Sequence, residues 1–326
     1  MTELSKLQVP EEALSYDEAL KATKDSLLKQ LRGAPPLIRP LTAHLAKAGG
    51  KMIRAGALLA CAQDKSDLIN PDAVKAAAAV ELLHLSTLVH DDIIDKAEKR
   101  RGIEALYLKF GEKSAVLCGD YLFCMALDLV SEIRVLEHRK DSVEKKLPRY
   151  MTDICLGELR QNQNLFNYNL TEKEYYKIIQ GKTAAMFEAS FDAGFMFSDE
   201  ADEARELYKK LGHTIGVIFQ LADDCADYEA AEKDAKKPVL SDFSKGVITL
   251  PLIYAMKNEP SLIEKIKSGI KPEELKACIA AAGGLSYAHA EINRHERAAK
   301  PLLKKLDISP KKRERLNMLL SLAKGV

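Results

Sequence analysis

The chain has 326 residues, 47% of them hydrophobic and 30% charged, with a formal net charge of +1. That length and apolar content can bury a substantial core, and they set the chain between one long domain and two short ones. The near-neutral balance removes the usual argument for nucleic acid or an anionic membrane as a partner.

Gly and Pro are few (17 and 12) while Ala, Leu, Lys and Glu are abundant, which predicts an all-α fold. Apolar residues at i, i+3, i+4 spacing, or apolar nearly all round, predict helices over Val74 to Lys99, Ser114 to Val135, Leu147 to Gln163, Glu172 to Phe197, Ala201 to Tyr228 and Thr249 to Asn258. The uniformly apolar stretches belong inside a bundle. Breaks fall at Gly49-Gly50, at Asn70-Pro71 with Asp72 as the cap, at Gly102, and between Lys236 and Gly246. None has the composition of a linker, so residues 1–326 read as a single domain. Charge interrupts each apolar run well short of the ~20 residues of a membrane span. Six cysteines without C-x-x-C spacing, and no stretch resembling a signal peptide, point to a reducing cytoplasm.

The most informative pattern occurs twice. Asp-Asp-x-x-Asp stands at Asp91, Asp92 and Asp95 and again at Asp223, Asp224 and Asp227. On a helix, positions i, i+1 and i+4 project within roughly 100°, so each copy gathers its carboxylates on one side. Such a cluster repels itself unless a hard cation with open positions, most simply Mg²⁺, joins it and presents those positions to phosphate oxygens. Two facing copies would make a metal-diphosphate clamp.

Basic groups accompany both copies. His84 lies two turns before Asp91 and only about 20° around the helix, on the acidic face. Arg100 would face away if that helix ran on, whereas Gly102 marks a place for the chain to turn back. Gly49-Gly50-Lys51-Met52-Ile53-Arg54 sets two cations three apart beside glycines that permit close approach to a phosphate. Gly181-Lys182-Thr183 supplies a cation and a hydroxyl, the Gln220 amide sits on the second acidic face, and Lys237 follows in a loop. His44, His90, His138, His213, His289 and His295 form no metal-ligand pattern; His90 could touch the site or fill a hydrogen bond in the core.

Lys51-x-x-Arg54, His84, both acidic motifs, Arg100-Arg101-Gly102, Gly157-Glu158-x-x-Gln161, Lys182-Thr183, Phe219-Gln220, Lys237-Pro238 and Thr249-Leu250-Pro251 together resemble the trans-isoprenyl diphosphate synthases, the polyprenyl synthetase family. The resemblance implies a single all-α bundle around a central cavity, of the isoprenoid synthase type, acting as a homodimer. It further implies that both motifs bind three Mg²⁺ ions on the diphosphate of an allylic substrate. Isopentenyl diphosphate would lie on Lys51, Arg54, His84 and Arg101, with Arg100, Lys182, Thr183, Gln220 and Lys237 around the allylic diphosphate. Charge agrees: six carboxylates at about −6 and a diphosphate near −3 cannot coexist without several cations. Chain growth would proceed by ionisation of the allylic C–O bond and attack by the isopentenyl double bond, with no protein side chain required as base.

Product length would follow from the depth of the tail cavity. Thr87, Leu83, Ala76, Ala79 and Ser86 fall on one flank of the first acidic helix and most are small. Family members with short products carry aromatics at the positions of Thr87 and Ser86, which implies a product of C20 or longer. Small residues there also permit close helix packing, and the floor could come from a helix bearing Tyr121, Phe123 and Met125. Met52, Lys236, Val247 and Ile103-Glu104-Ala105 depart from the family pattern. A non-catalytic subunit of a heteromeric synthase would ordinarily lose one acidic motif, and a class I terpene cyclase would lack the Lys51, Arg54 and His84 cluster.

Overall fold

The computed structural model describes residues 12–135, 137–229 and 240–325, side chains at 137, 138 and 140–145 excepted. The fold is all-α, as the composition predicts: α1 (Tyr16–Gly33), α2 (Arg39–Leu45), α3 (Ile53–Ala62), α4 (Pro71–Ile94), α5 (Leu106–Phe110), α6 (Glu112–Ser131), α7 (Glu137–Gln163), α8 (Glu172–Ile179), α9 (Ala185–Phe195), α10 (Arg205–Glu229), α11 (Ser241–Ser244), α12 (Leu250–Asn258), α13 (Ser261–Lys267), α14 (Pro272–Ala281), α15 (Gly284–Lys305) and α16 (Pro310–Lys324). Among the described residues the sheet content is one hairpin, β1 (Lys99–Arg100) with β2 (Ile103–Glu104), and an isolated Leu14–Ile69 bridge.

The chain divides into two compact units. One runs to Val143 and adds Ser190–Arg205 and Asp307–Leu316; the other comprises Glu144–Ala189, Glu206–Leu306 and the chain from Asn317.

In the first unit, α4 starts at Pro71, and the Asn70 side chain, rather than Asp72, caps it by accepting from the Asp72 amide at 2.9 Å. Its alanines are buried nearly all round, which lets neighbours approach closely: Ser86 Oγ donates to the Gly119 carbonyl on α6 at 2.8 Å. A Cβ on Gly119 would lie 2.3 Å from His90 Nε2, and that ring nitrogen sits 3.2 Å from Val116 O and 3.4 Å from Asp120. His90 therefore clasps α4 to α6. Contrary to the sequence expectation, α6 is long and apolar enough to cross a membrane by length and composition alone. Its buried Cys118, Gly119, Leu122 and Met125 face packed helices, while Val116, Leu117 and Leu127 are exposed. Distant parts of this unit are tied by Lys312, 0% exposed, whose Nζ donates to Cys61 O, Gln63 O and Glu200 Oε1 at 2.6, 2.7 and 2.7 Å.

The helix expected over Glu172 to Phe197 runs to Phe195 and carries within it a π turn over Gln180–Ala184, between α8 and α9. Glycines explain where that turn falls. A Cβ on Gly157 of α7 would fall 2.2 Å from Lys182 N, and one on Gly181 would fall 2.8 Å from Asp153 O, so backbone meets backbone there. Thr171 caps α8, accepting from Glu174 N. Tyr254 of α12 stacks on Tyr287 of α15 at 4.1 Å.

Candidate functional site

The first acidic motif occupies the last turn of α4, with Asp95 as its C-cap residue. Negative charge at a helix C-terminus opposes the macrodipole at about 0.3–1 kcal/mol per group, so three aspartates there are a cost that a cation must offset. Arg100 is an internal cation there: its Nε donates to Asp92 Oδ1 at 2.7 Å and Nη2 lies 2.6 Å from the same oxygen, with the Asp92 side chain 5% exposed. This corrects the expectation that the helix runs to Lys99. It stops at Ile94, Lys96 adopts φ +52°, and the β1–β2 hairpin folds Arg100 back onto α4. Arg101 (φ +50°) and Gly102 (φ +82°) form the two-residue loop, the conformation that the twist of a tight hairpin requires.

Arg101 lies against the double glycine: a Cβ on Gly50 would sit 2.7 Å from its Nη1. Arg54, in the first turn of α3, places Nη1 3.2 Å from His84 Nε2. Burial holds Arg54 down to about 10, with Arg101 adding to the shift and Glu81 opposing it, so the guanidinium stays charged at neutral pH. Burial, then Arg54, Arg101 and Arg100, drive His84 well below the ordinary imidazole range. His84 is thus neutral, and because arginine only donates, its Nε2 accepts and Nδ1 carries the hydrogen. Lys51 is exposed just before α3. The first unit therefore brings together Arg54, His84, Arg100, Arg101 and Asp92, with Asp91 and Asp95 on the same helix end, while Lys51 is placed only by its position three residues before Arg54.

Glu81 is the residue that sequence reasoning passed over. Its buried carboxyl accepts from the Ala55 amide at 3.1 Å. Burial raises its pKa, while the Ala55 amide, Arg54 and Arg101 pull it down. It anchors the start of α3 and supplies negative charge beside the two arginines. Its place three residues before His84, on nearly the same helix face, was the available signal.

In the second unit the π turn displays Lys182 and Thr183. Lys182 Nζ lies 3.0 Å from Glu158 Oε2. Thr183 Oγ1 donates to Gln220 Oε1 at 2.6 Å, Gln220 Nε2 donates to Asp224 Oδ1 at 2.7 Å, and Tyr175 Oη donates to Asp224 Oδ2 at 2.5 Å. Burial, then Asp242, push Asp224 up to about 8 against the pull of the Tyr175 and Gln220 hydrogen bonds; Asp223 adds to the rise. A cation beside the carboxyl would reverse that shift. Asp223 is half-buried, and Asp227 accepts from the Ser241 and Asp242 amides at 3.0 and 3.2 Å. Lys237, like Lys236 and Pro238, lies outside the described residues. Tyr175 and Asp242 were not anticipated, because their approach to Asp224 crosses between elements and leaves no periodic trace.

Among the described residues no three His, Cys, Asp or Glu side chains gather into a ready metal cage. The donors nevertheless fit Mg²⁺. All are hard carboxylate oxygens, and Mg²⁺ characteristically binds through one or two carboxylates together with water and substrate phosphate.

A model of the polyprenyl synthetase family matches residues 35–282. The chain is 34% identical over 271 residues to the short chain isoprenyl diphosphate synthase of Methanocaldococcus jannaschii, covering 81% of this chain and 82% of that protein. The structure is similar to the heptaprenyl diphosphate synthase of Staphylococcus aureus, with a TM-score of 0.84 at 30% identity over 95% of this chain and 97% of the other. It is also similar to the polyprenyl synthase of Caulobacter crescentus CB15 complexed with calcium and isoprenyl diphosphate, with a TM-score of 0.81 at 31% identity over 97% and 99%.

Proposed function

The chain belongs to the polyprenyl synthetase family, and from that premise we propose that it is a Mg²⁺-dependent trans-prenyltransferase that condenses isopentenyl diphosphate with an allylic diphosphate, reading residues 1–326 as one catalytic domain. The observation that carries this reading is the retention of both acidic motifs together with a separate cationic cluster, since a non-catalytic subunit needs neither and a cyclase does not need the second. The calcium and isoprenyl diphosphate named for the Caulobacter relative support the ligand class.

In this reading Arg54, Arg101 and Lys51 bind the isopentenyl diphosphate, and neutral His84 offers its Nδ1 hydrogen without adding charge. Glu81 keeps the arginines apart from one another's repulsion. Lys182, Thr183, Gln220 and Lys237 hold the allylic diphosphate, and Arg100 assists. Asp91, Asp92, Asp95, Asp223, Asp224 and Asp227 would hold about three Mg²⁺, by family resemblance. When bound, Mg²⁺ neutralises the diphosphate and so stabilises it as a leaving group. The allylic C–O bond breaks, the isopentenyl double bond forms the new C–C bond at that carbon, and loss of a proton restores the alkene. Small residues at Ala76, Ala79, Ser86 and Thr87 support a product of C20 or longer.

The exposed Val116, Leu117 and Leu127 on α6 support a homodimer through that face, which sedimentation velocity of wild type and Leu117→Glu measures: a monomeric wild type removes the proposal. The deciding experiment for the activity is incubation with isopentenyl and labelled allylic diphosphate plus Mg²⁺. Elongated all-trans products, lost in Asp91→Ala and Asp223→Ala, are expected; cyclised products or no turnover would overturn the reading.

A further inference from the structure

Asp224 differs from its neighbour Asp223 in where it points. One residue along a helix is about 100° of rotation, and that step takes Asp224 from the half-buried face of α10 into the interior of its unit, where it is 2% exposed. A buried carboxylate is tolerated only when its oxygens are bonded. Both are. Gln220, one turn earlier on the same helix, donates to Oδ1, and Tyr175, itself 2% exposed on α8, donates to Oδ2 at 2.5 Å.

The direction of these bonds matters. Gln220 gives its amide nitrogen to Asp224 and turns its oxygen toward Thr183, whose hydroxyl donates to it at 2.6 Å. The second Nε2 hydrogen is then what Gln220 has left to offer an anion. Without the phenol, Asp224 keeps one donor, its torsion is no longer fixed from both sides, and the amide and hydroxyl lose their alignment together.

We infer that Tyr175 is a positioning residue for the reaction, whose hydroxyl pins Asp224 and, through it, sets Gln220 and Thr183 to receive a metal-bound diphosphate. This rests on the function proposed above. Tyr176 provides a matched control. It is the next residue on α8, and its hydroxyl donates to a different carboxylate, Glu291, at 3.0 Å. Its removal deletes the same kind of bond and leaves Asp224 alone.

The test measures calorimetric binding of inorganic pyrophosphate in the presence of Mg²⁺, and the Mg²⁺ concentration that half-saturates turnover, for wild type, Tyr175→Phe and Tyr176→Phe, with thermal melts alongside. A hydrogen bond to a charged group corresponds to roughly tenfold or more, so Tyr175→Phe should bind pyrophosphate about tenfold more weakly and need more Mg²⁺, while Tyr176→Phe stays near wild type in both. In a double-mutant cycle, Tyr175→Phe should add little to Asp224→Asn. The same double variant covers the case in which Tyr175→Phe does not fold, because it removes the stranded charge and should bind pyrophosphate as Asp224→Asn does. Wild-type binding by Tyr175→Phe, equal losses in the two tyrosine variants, or additivity in the cycle would overturn the inference. Absence of elongation by wild type strikes the enzyme reading instead, and the calorimetric comparison still decides Tyr175.

Discussion

Replacing Gly157 by alanine should disable the protein through a contact that contains no catalytic group. The added Cβ would lie 2.2 Å from Lys182 N and 2.6 Å from the Gly181 carbonyl carbon, against 3.4 Å for ordinary contact. Both neighbours are backbone, so no side chain can swing aside, and the π turn or α7 must retreat by roughly 1 Å. Overpacking of this kind costs about 1–3 kcal/mol in stability. The larger effect is on chemistry: Lys182 and Thr183 ride on that turn, and a misplacement of about 1 Å can cost on the order of 100-fold in rate. Gly33→Ala is the comparison, since nothing lies within 4 Å of a Cβ there. Steady-state incorporation of isopentenyl diphosphate, with circular dichroism melts on the same samples, reads both effects. A Gly157→Ala enzyme with wild-type kcat and KM would refute the argument that the two glycines exist to seat the π turn.

Folding stability should fall as pH drops below about 6.5, because unfolding frees His84 to take up a proton that burial and three arginines deny it in the folded state. The folded pKa is depressed, so the unfolded chain binds the extra proton. One such group contributes at most about 1.4 kcal/mol per pH unit. Denaturant melts between about pH 7.5 and 5.5 should show a shallower slope in His84→Gln than in wild type, and equal slopes would count against a neutral imidazole in the folded state. Ser86 and Thr87, equivalent in the sequence, should separate. Ser86 is 3% exposed with its hydroxyl on Gly119, so Ser86→Phe should mainly destabilise the α4–α6 crossing. Thr87 is half-buried and its hydroxyl bonds within its own helix, to His84 O at 2.9 Å, so Thr87→Phe should fold and shorten the product. Chromatography of the prenyl products decides it, and an unchanged chain length in Thr87→Phe would remove that flank from the argument.

Much of the fold and most of the candidate binding groups were legible because they are written in local spacing. Apolar spacing at i, i+3, i+4, or apolar character nearly all round, located α4, α6, α10 and α12, and the paired acidic motifs with Lys51, Arg54, His84 and Lys182-Thr183 carried the family resemblance. The errors share a cause. The expected helix to Lys99 was cut at Ile94, and the helix expected from Glu172 to Phe197, present to Phe195, carries an unforeseen π turn, because a hairpin and a glycine contact from elsewhere in the chain override local propensity. Asp72 lost the capping position to Asn70, since a Pro at the first helical position fixes the cap one residue before it.

Sequence by itself determined the element types, the chemistry of the groups and the family, because periodicity and residue identity are properties of neighbouring positions along the chain. Only the tertiary structure decided what each group bonds beyond its own helix: Arg100 to Asp92, Arg54 to His84 beside Glu81, Tyr175 to Asp224, and His90 to α6 rather than to the acidic cluster. These partners lie on different elements or across a reversed hairpin. Burial then fixes their charge states, and burial is a property of packing that no spacing along one helix encodes.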